Sequence, residues 1–391
     1  MSNWPVIPLR EVADIAAGIT LGRKTTETEL VDVPYLRVAN VQDGRLSLTH
    51  IKTVTATRRE IEKWTLRDGD LLLTEGGDLD KLGRGACWRE QLPVCIHQNH
   101  IFRVRLLRDL YDSEFVSLQV GSGYGKAYFL AHAKKTTGIA SINQQVLGAF
   151  PLFSPPLAEQ RSIASRLKAQ LAEVETARQA AQIQLNEVTK LANSIVFASI
   201  KKTSHSLRTL GDVLTEVKKG IGPSWKDYPV LGATRDGLAP AKEQPGKQAP
   251  KYKPVFPGTV FYNPMRILIG SIAFVDDDDT PGITSPDYVA LQGKDGVVDS
   301  RWFYHWLRSP LGVQCISSLA RGAVRERMLF NRLAEGEIEL PSFAEQQNAS
   351  QALKELRPLR RAIEQKLRDI DLLPKKILAQ AFESQGECHD G

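Results

Sequence analysis

From Leu157 to Ser199 the chain contains neither proline nor glycine, and its apolar residues recur in steps of three and four. Ile163, Leu167, Leu171, Val174, Ala177, Ala181, Leu185, Val188, Ala192 and Ile195 therefore fall on one stripe of a single α-helix. About 40 residues at 1.5 Å each make a rod of roughly 60 Å. A helix that long needs a partner along its stripe. The C-terminal end supplies a second stripe: Leu353, Leu356, Leu359, Ile363, Leu367, Ile370, Leu373, Ile377 and Ala381. Pro358 lies inside it and is expected to kink or restart the helix. Candidate contacts between the helices are Leu167, Leu171, Val174, Leu185 and Val188 on one, and Leu353, Leu356, Ile363, Leu367, Ile370 and Ile377 on the other. A globular segment separates them, so they can run antiparallel, each carrying its own globular segment to opposite ends of the coil.

Both stripes open on nearly the same words. Pro155-Pro156-Leu157-Ala158-Glu159-Gln160 precedes the first, and Pro341-Ser342-Phe343-Ala344-Glu345-Gln346 the second. Upstream, Leu9-Arg10-Glu11-Val12 with Gly18-Ile19 is echoed by Leu210-Gly211-Asp212-Val213 with Gly220-Ile221. The interiors between these landmarks diverge almost completely. A duplicated frame with unlike contents suits a recognition module whose scaffold is fixed and whose reading surface varies. Four segments follow: globular 1–154, helical 155–206, globular 207–340 and helical 341–391.

The globular segments mix short β-rich runs with turns. Asp70 to Thr74, Ile101 to Arg105, Gly258 to Tyr262 and Gly270 to Val275 read as strands, and Ser113–His132 and Ser300–Leu319 as helical. No regular βαβ alternation appears, so the class is α+β (mixed α/β). At 391 residues each half can bury its own core. No apolar run approaches the ~20 residues of a membrane helix and the N-terminus has no signal-peptide pattern, which leads to a cytoplasmic expectation with no membrane partner. Cys87, Cys95, Cys315 and Cys388 form no CxxC pair, and the seven histidines show no metal spacing beyond an unaccompanied His97 and His100.

The net charge of +6 leans weakly towards an acidic partner, and any nucleic-acid site must come from local clustering. In the first globular segment the candidates are Lys81 and Arg84 in a glycine-rich loop, then Lys134, Lys135, Thr136, Thr137, Ser141 and Asn143. In the second they are Lys247, Lys251, Tyr252 and Lys253 in a basic, proline-rich loop, Arg266, and Arg321, Arg325 and Arg327. Glycine lets a backbone approach phosphates closely, Arg can read guanine bidentately, and Asn can read adenine. Three other stretches imitate active sites. Gly121-Ser122-Gly123-Tyr124-Gly125-Lys126 lacks the Ser or Thr of a phosphate loop and follows helical sequence, so it reads as a helix end. Tyr262-Asn263-Pro264-Met265 lacks the second proline and aromatic of an amino-methyltransferase tetrapeptide, and reads as a turn. Asp276-Asp277-Asp278-Asp279 reads as a solvated hairpin tip rather than a metal site.

With its repeated Pro-Pro-Leu-Ala-Glu-Gln motif, tandem arrangement and terminal Leu372-Leu373-Pro374-Lys375-Lys376-Ile377-Leu378-Ala379-Gln380-Ala381-Phe382, echoed by Asn193 to Ala198, the whole chain resembles the specificity subunit of type I restriction-modification enzymes. The second copy departs from the family at Ser342-Phe343, where a second Pro and Leu are usual. The resemblance implies two target-recognition domains reading the halves of a split double-stranded DNA target, with long helices forming an antiparallel coiled coil that fixes the unread spacer. It implies no catalytic activity in this chain. Two modification subunits would dock on it, with restriction subunits joining them; S-adenosylmethionine, ATP and Mg would sit on those partners, with no cofactor held by this chain. The alternative in another class is a DNA methyltransferase or nuclease using Asn263-Pro264 or the aspartate run.

Overall fold

The computed structural model describes residues 4–23, 29–79, 82–136, 139–202, 206–243, 245–246, 248–320 and 327–386, with side chains as far as residue 383. Two compact units emerge: Met1–Gln179 with Arg368–Gly391, and Ala180–Leu367. Each unit therefore holds one globular head and a stretch of both long helices, which run Leu157–Lys201 and Phe343–Gly386. Among the described residues no helix is long and apolar enough to cross a membrane.

The first unit is built on a four-stranded antiparallel sheet in the order Ala13–Ala17, Ile101–Leu106, Leu71–Thr74, Gly85–Cys87. The run Leu71-Leu72-Leu73 is wholly buried because both faces of that sheet are covered. Leu71 and Leu73 pack with Val104, Phe115 and Phe129 under the helices Ser113–Gly121 and Gly123–His132. Leu72 points the other way, into a cluster with Leu36, Trp88 and Ile101. A side sheet of Ile96–His97, Leu30–Leu36 and Lys52–Thr57 lies alongside.

The second unit repeats the plan with other side chains. Its sheet runs Leu214–Glu216, Val289–Gly293, Val260–Tyr262, Ile272–Phe274, all antiparallel. Val260 and Tyr262 face the core under Ser300–Arg308 and Pro310–Leu319, while Phe261 joins Val255, Ala273 and Ala290 on the opposite face. A short antiparallel pair closes each head where its long helix starts: Val6–Pro8 with Pro151–Phe153, and Ser206–Thr209 with Glu337–Leu340.

The duplicated motif has one physical task. Gln160 is fully buried; its Nε2 donates to the carbonyls of Leu110 (3.1 Å) and Pro155 (2.7 Å), and its Oε1 accepts from the amide of Asp112 (3.0 Å). Gln346 makes the same bonds to Val297 (3.0 Å), Pro341 (2.9 Å) and the amide of Asp299 (2.9 Å). In both cases the bonded aspartate caps the helix that follows, Asp112 accepting from Phe115 and Asp299 from Trp302. A single amide thus fixes the first turn of a long helix against the cap of the head's own helix.

The imitation phosphate loop is a helix junction, also duplicated. Ser122 and Ser309 each stand between two helices, each hydroxyl donating back to a carbonyl of the preceding turn (Gln119, 2.6 Å; Trp306, 2.7 Å), and Ser122 also caps the helix that follows. A side chain at Gly125 would meet the carbonyls of Gln119 and Val120, and one at Gly312 those of Trp306 and Leu307. These glycines exist to let two helices touch.

In the first unit Ile163, Ala164 and Leu167, near the start of one long helix, share a core with Phe382 near the end of the other. The Phe382 ring meets Phe115 edge-on at 5.6 Å. In the second unit Val196 and Ile200 close the first helix against Ala349 and Leu353 at the start of the second, and Trp302 Nε1 donates to Ser199 Oγ at 2.9 Å. Start packs with end in both units, so the helices run antiparallel. The helix expected to kink or restart at Pro358 does not restart there: it is continuous through Pro358 and Pro374. Of the expected seam, Leu167, Val188, Leu353, Ile363 and Ile370 are buried, and Leu171, Val174, Leu185, Leu356, Leu367 and Ile377 half-buried. Leu359 and Leu373 leave the stripe, at 50% and 38% exposure. Alternating steps of three and four from Leu356 land on Arg360 and Pro374, so the leucines beside them face out.

Gln346→Ala is expected to cost roughly 3 kcal/mol, because a buried amide making these bonds leaves stranded partners. Hydrogen exchange should lose protection at Val297–Trp302 and the first turn of the second long helix, while the first unit keeps its pattern.

Candidate nucleic-acid interface

Each head carries an equivalent hairpin. In the first unit Leu71–Thr74 turns into Gly85–Cys87, and the amide of Thr74 bonds the carbonyl of Arg84 at 2.9 Å where the loop leaves the sheet. In the second, Val260–Tyr262 turns into Ile272–Phe274, and the amide of Asn263 bonds the carbonyl of Ser271 at 3.2 Å. The two loops that leave here hold Arg84 and Arg266, both singled out from sequence.

The first unit gathers several more candidates. Lys134–Thr136 pairs with Ile139–Ser141, which pairs with Gly76-Gly77 of the hairpin loop. A side chain at Gly76 would lie 2.6 Å from the carbonyl of Ala140, so glycine is needed for this approach. Lys134, Lys135 and Thr136 are exposed on the resulting small sheet, and Ser141 is half-buried opposite Lys134. Asn143 is exposed, but its Oδ1 caps the short helix Gln144–Gly148 by accepting from Val146 at 2.8 Å. Arg84 donates to Gln42 at 3.3 Å. Glu75, where this loop begins, pairs with His100 at 2.6 Å. His97 is core: burial lowers its pKa to about 4, and Nδ1 faces the carbonyl of Ile101 at 3.0 Å.

The second unit is less uniform. Lys251 is exposed, and Tyr252 accepts through its hydroxyl from the amide of Gly246 at 3.2 Å. Lys253 was expected to face phosphate; it is instead tucked against the head, donating to the carbonyl of Tyr288 at 2.7 Å. Its burial lowers its pKa, with Glu216 nearby opposing that shift. Arg266 is exposed at the loop tip, and Arg327 pairs with Asp287 at 3.3 Å. The amide of Met328 bonds the carbonyl of Pro264 at 3.1 Å, bringing the Arg327 stretch beside that loop. Lys81, Thr137, Lys247, Arg321 and Arg325 lie outside the described residues.

Asp276 to Asp279 are not a solvated tip. Asp276 is buried and meets Arg301 and Arg357, the latter at 3.0 Å; Asp277 meets Lys354 at 2.9 Å and Arg301 at 3.0 Å. Asp278 and Asp279 take Arg357 and Arg361. The sequence hid this because the cations lie far along the chain, in Arg357-Pro358-Leu359-Arg360-Arg361 of the second long helix. Burial raises the Asp276 pKa, but bonds from Arg301 and the Asp277 amide, with the charges of Arg301 and Arg357, outweigh it and hold the carboxyl below its ordinary value. Lys354 holds that of Asp277 low. The first head has a smaller counterpart of the same sign: Glu114 joins Arg89 and, at 3.3 Å, Lys168 of the first long helix. Among the described residues no group of His, Cys, Asp or Glu is arranged to hold a metal. Burial pushes the Cys87 and Cys95 thiols up to about 12, far from a reactive thiolate.

The sequence reading missed the exposed aliphatic residues on these loops, Leu79, Met265, Leu268 and Ile269. Their signal was present: apolar residues inside segments that otherwise read as turn.

These features define a duplicated α+β protein, two heads of one plan attached to a pair of antiparallel helices. Residues 1–185 match the family model of the type I restriction modification DNA specificity domain; the structural repeat carries the same plan into the second unit. The StySPI specificity subunit of a type I restriction enzyme from Salmonella potsdam is 24% identical over 166 residues, 42% of this chain and 36% of that protein. The EcoKI specificity subunit from Escherichia coli (strain K12) is 26% identical over 165 residues, 42% and 35% of the respective chains. The match thus spans just over a third of those relatives' length. A solved chain described in a study of complex assembly and conformational transition of the type I R-M system shares the fold, with a TM-score of 0.63, 16% identity and 97% of each chain covered.

The carboxylates of Asp276 and Asp277 are depressed in the folded state, so their contribution is full above about pH 4, the ordinary carboxylate range, and is lost as pH falls through the lower folded values. Acidification through that window should release exchange protection at residues 274–279 before the core strands of the second unit. Asp277→Asn should leave a smaller pH response, since it removes one of the two titrating partners.

Proposed function

We propose that this chain is the DNA-reading subunit of a type I restriction-modification enzyme. The observation that carries the reading is the sameness of frame against divergence of loop: Gln160 and Gln346 make matched bonds, while the hairpin loops of the two heads share almost no residue. A protein that recognises two unlike half-sites with one mechanism needs that combination.

Each head reads one half of a bipartite double-stranded target. Lys134, Lys135 and Arg84 in the first head, and Arg266, Arg327 and Lys251 in the second, supply phosphate contacts that set register, and neighbouring loop groups read base edges. The helix pair fixes the unread spacer and docks two modification subunits, to which restriction subunits attach. Methyl transfer from S-adenosylmethionine, and translocation and cleavage with ATP and Mg, belong to those partners; this chain supplies the address and holds no cofactor.

Sequencing modified bases in host DNA with and without this gene should reveal one split motif that disappears on deletion. Activity of the isolated chain in a methyl-transfer assay would sink the proposal. In the assembled enzyme, Lys134→Ala with Lys135→Ala should weaken binding to all sequences alike. The salt slope should fall by about 1 for every phosphate left without its lysine, and the motif should stay unchanged.

A further inference from the structure

The hairpin loops of both heads hold aliphatic side chains in water. Leu79 is 50% exposed in the first, and Met265, Leu268 and Ile269 are 49%, 52% and 50% exposed in the second. Both sets lie in loops that join equivalent strands of the two sheets, so exposed aliphatic groups recur in the same place in each head.

In the second head the loop is fastened so that these groups stay outward. Asn263 Oδ1 accepts from the amide of Met265 at 2.9 Å, and its carbonyl from that of Arg266 at 2.9 Å. Ile267 is buried and anchors a single helical turn, Ile267–Ile269, which Gly270 closes in the left-handed region at φ 85°. Arg235 Nε holds the carbonyl of Ile269 at 3.2 Å. Rigid display of an apolar group in solvent has no folding benefit; it suits a surface that acquires a partner.

We propose that Leu79, Met265, Leu268 and Ile269 read DNA by apolar packing against base edges, with the thymine 5-methyl group in the major groove as their ligand. This rests on the DNA-reading role proposed above and names the chemistry of that site. Charge selects nucleic acid over a protein groove: Arg266 is exposed on the tip, and Arg235 and Arg327 lie on segments bonded to it, placing cations around the aliphatic groups. The polar alternative is weakened at this tip, because the one Asn in the loop is consumed by the turn and cannot offer its Oδ1 to a base. Of the major-groove features, only the thymine methyl is apolar.

The test uses the complete complex assembled with its modification subunits, on duplexes carrying the motif obtained from modified-base sequencing. Each thymine in both half-sites is replaced singly by deoxyuridine, which removes the methyl and no hydrogen-bonding group. At least one replacement should lower affinity about 3- to 10-fold, the worth of one buried methyl group, and that loss should vanish in a complex bearing Met265→Ser, Leu268→Ser and Ile269→Ser or, for the first head, Leu79→Ser. Those positions are exposed, and unchanged thermal unfolding verifies the fold. The inference is overturned if no deoxyuridine substitution matters, if the half-sites contain no A·T pair, or if the serine variants bind every duplex as the wild type does. Loss of assembly with the modification subunits would overturn it in favour of a protein contact. If the wild-type complex modifies no specific sequence, the DNA-reading role itself fails, and this inference with it.

Discussion

The join between each head and its long helix depends on one side-chain amide per half. Gln160 and Gln346 stitch three segments together: the proline-containing approach to the long helix, the residues before the head's own helix, and the cap of that helix. A glutamate could not replace it, because the site demands donors to two carbonyls and an acceptor for an amide at once. Remove the amide and the head would still have a core, and the helix would keep its packing contacts, but its first turn would lose the bonds that tie it to the cap of the head's own helix. This explains why a short string of residues recurs faithfully in a chain whose halves otherwise drifted apart.

Around that stitch the two heads solve the same packing problem with different residues. Phe115 and Trp302 occupy the same place, each receiving the end of a long helix, through Phe382 in one case and Ser199 in the other. Leu71-Leu72-Leu73 and Val260-Phe261-Tyr262 both divide their side chains between two covered faces. Identity is low, but volume and alternation are preserved, which is what a core requires.

How far the sequence was legible follows from the range of the interactions. The helices declared themselves because their period is local, and the repeat because the Gln environment tolerates almost no change. The kink expected at Pro358 did not form into a break; tertiary contacts on both sides override one missing backbone bond. Leu359 and Leu373 misled because a stripe admits either of two neighbours, and only packing chooses. The aspartate run was misread for a different reason: its arginines are distant in sequence, and four adjacent carboxylates look repulsive until those cations are placed. At the candidate interface, charge and glycine singled out Arg84, Arg266 and the Lys134 strand, which the structure leaves on loops and an outer sheet of the heads, whereas Lys253 is tucked in by contacts no short-range rule anticipates. Exposed Leu and Met escaped notice because isolated apolar surface residues are ordinary.

The ion pairs where each head meets a long helix bear on inheritance. Glu114 faces Lys168 in one half; in the other, Asp276 to Asp279 face Lys354, Arg357 and Arg361. A new second head acquired by recombination at the motif alone would leave three helical cations without their acids, or bring acids to a helix that lacks cations. The smallest heritable module for that half therefore reaches beyond the globular segment, at least to Arg361. A crossover falling between Gln346 and Arg361 would separate these paired charges.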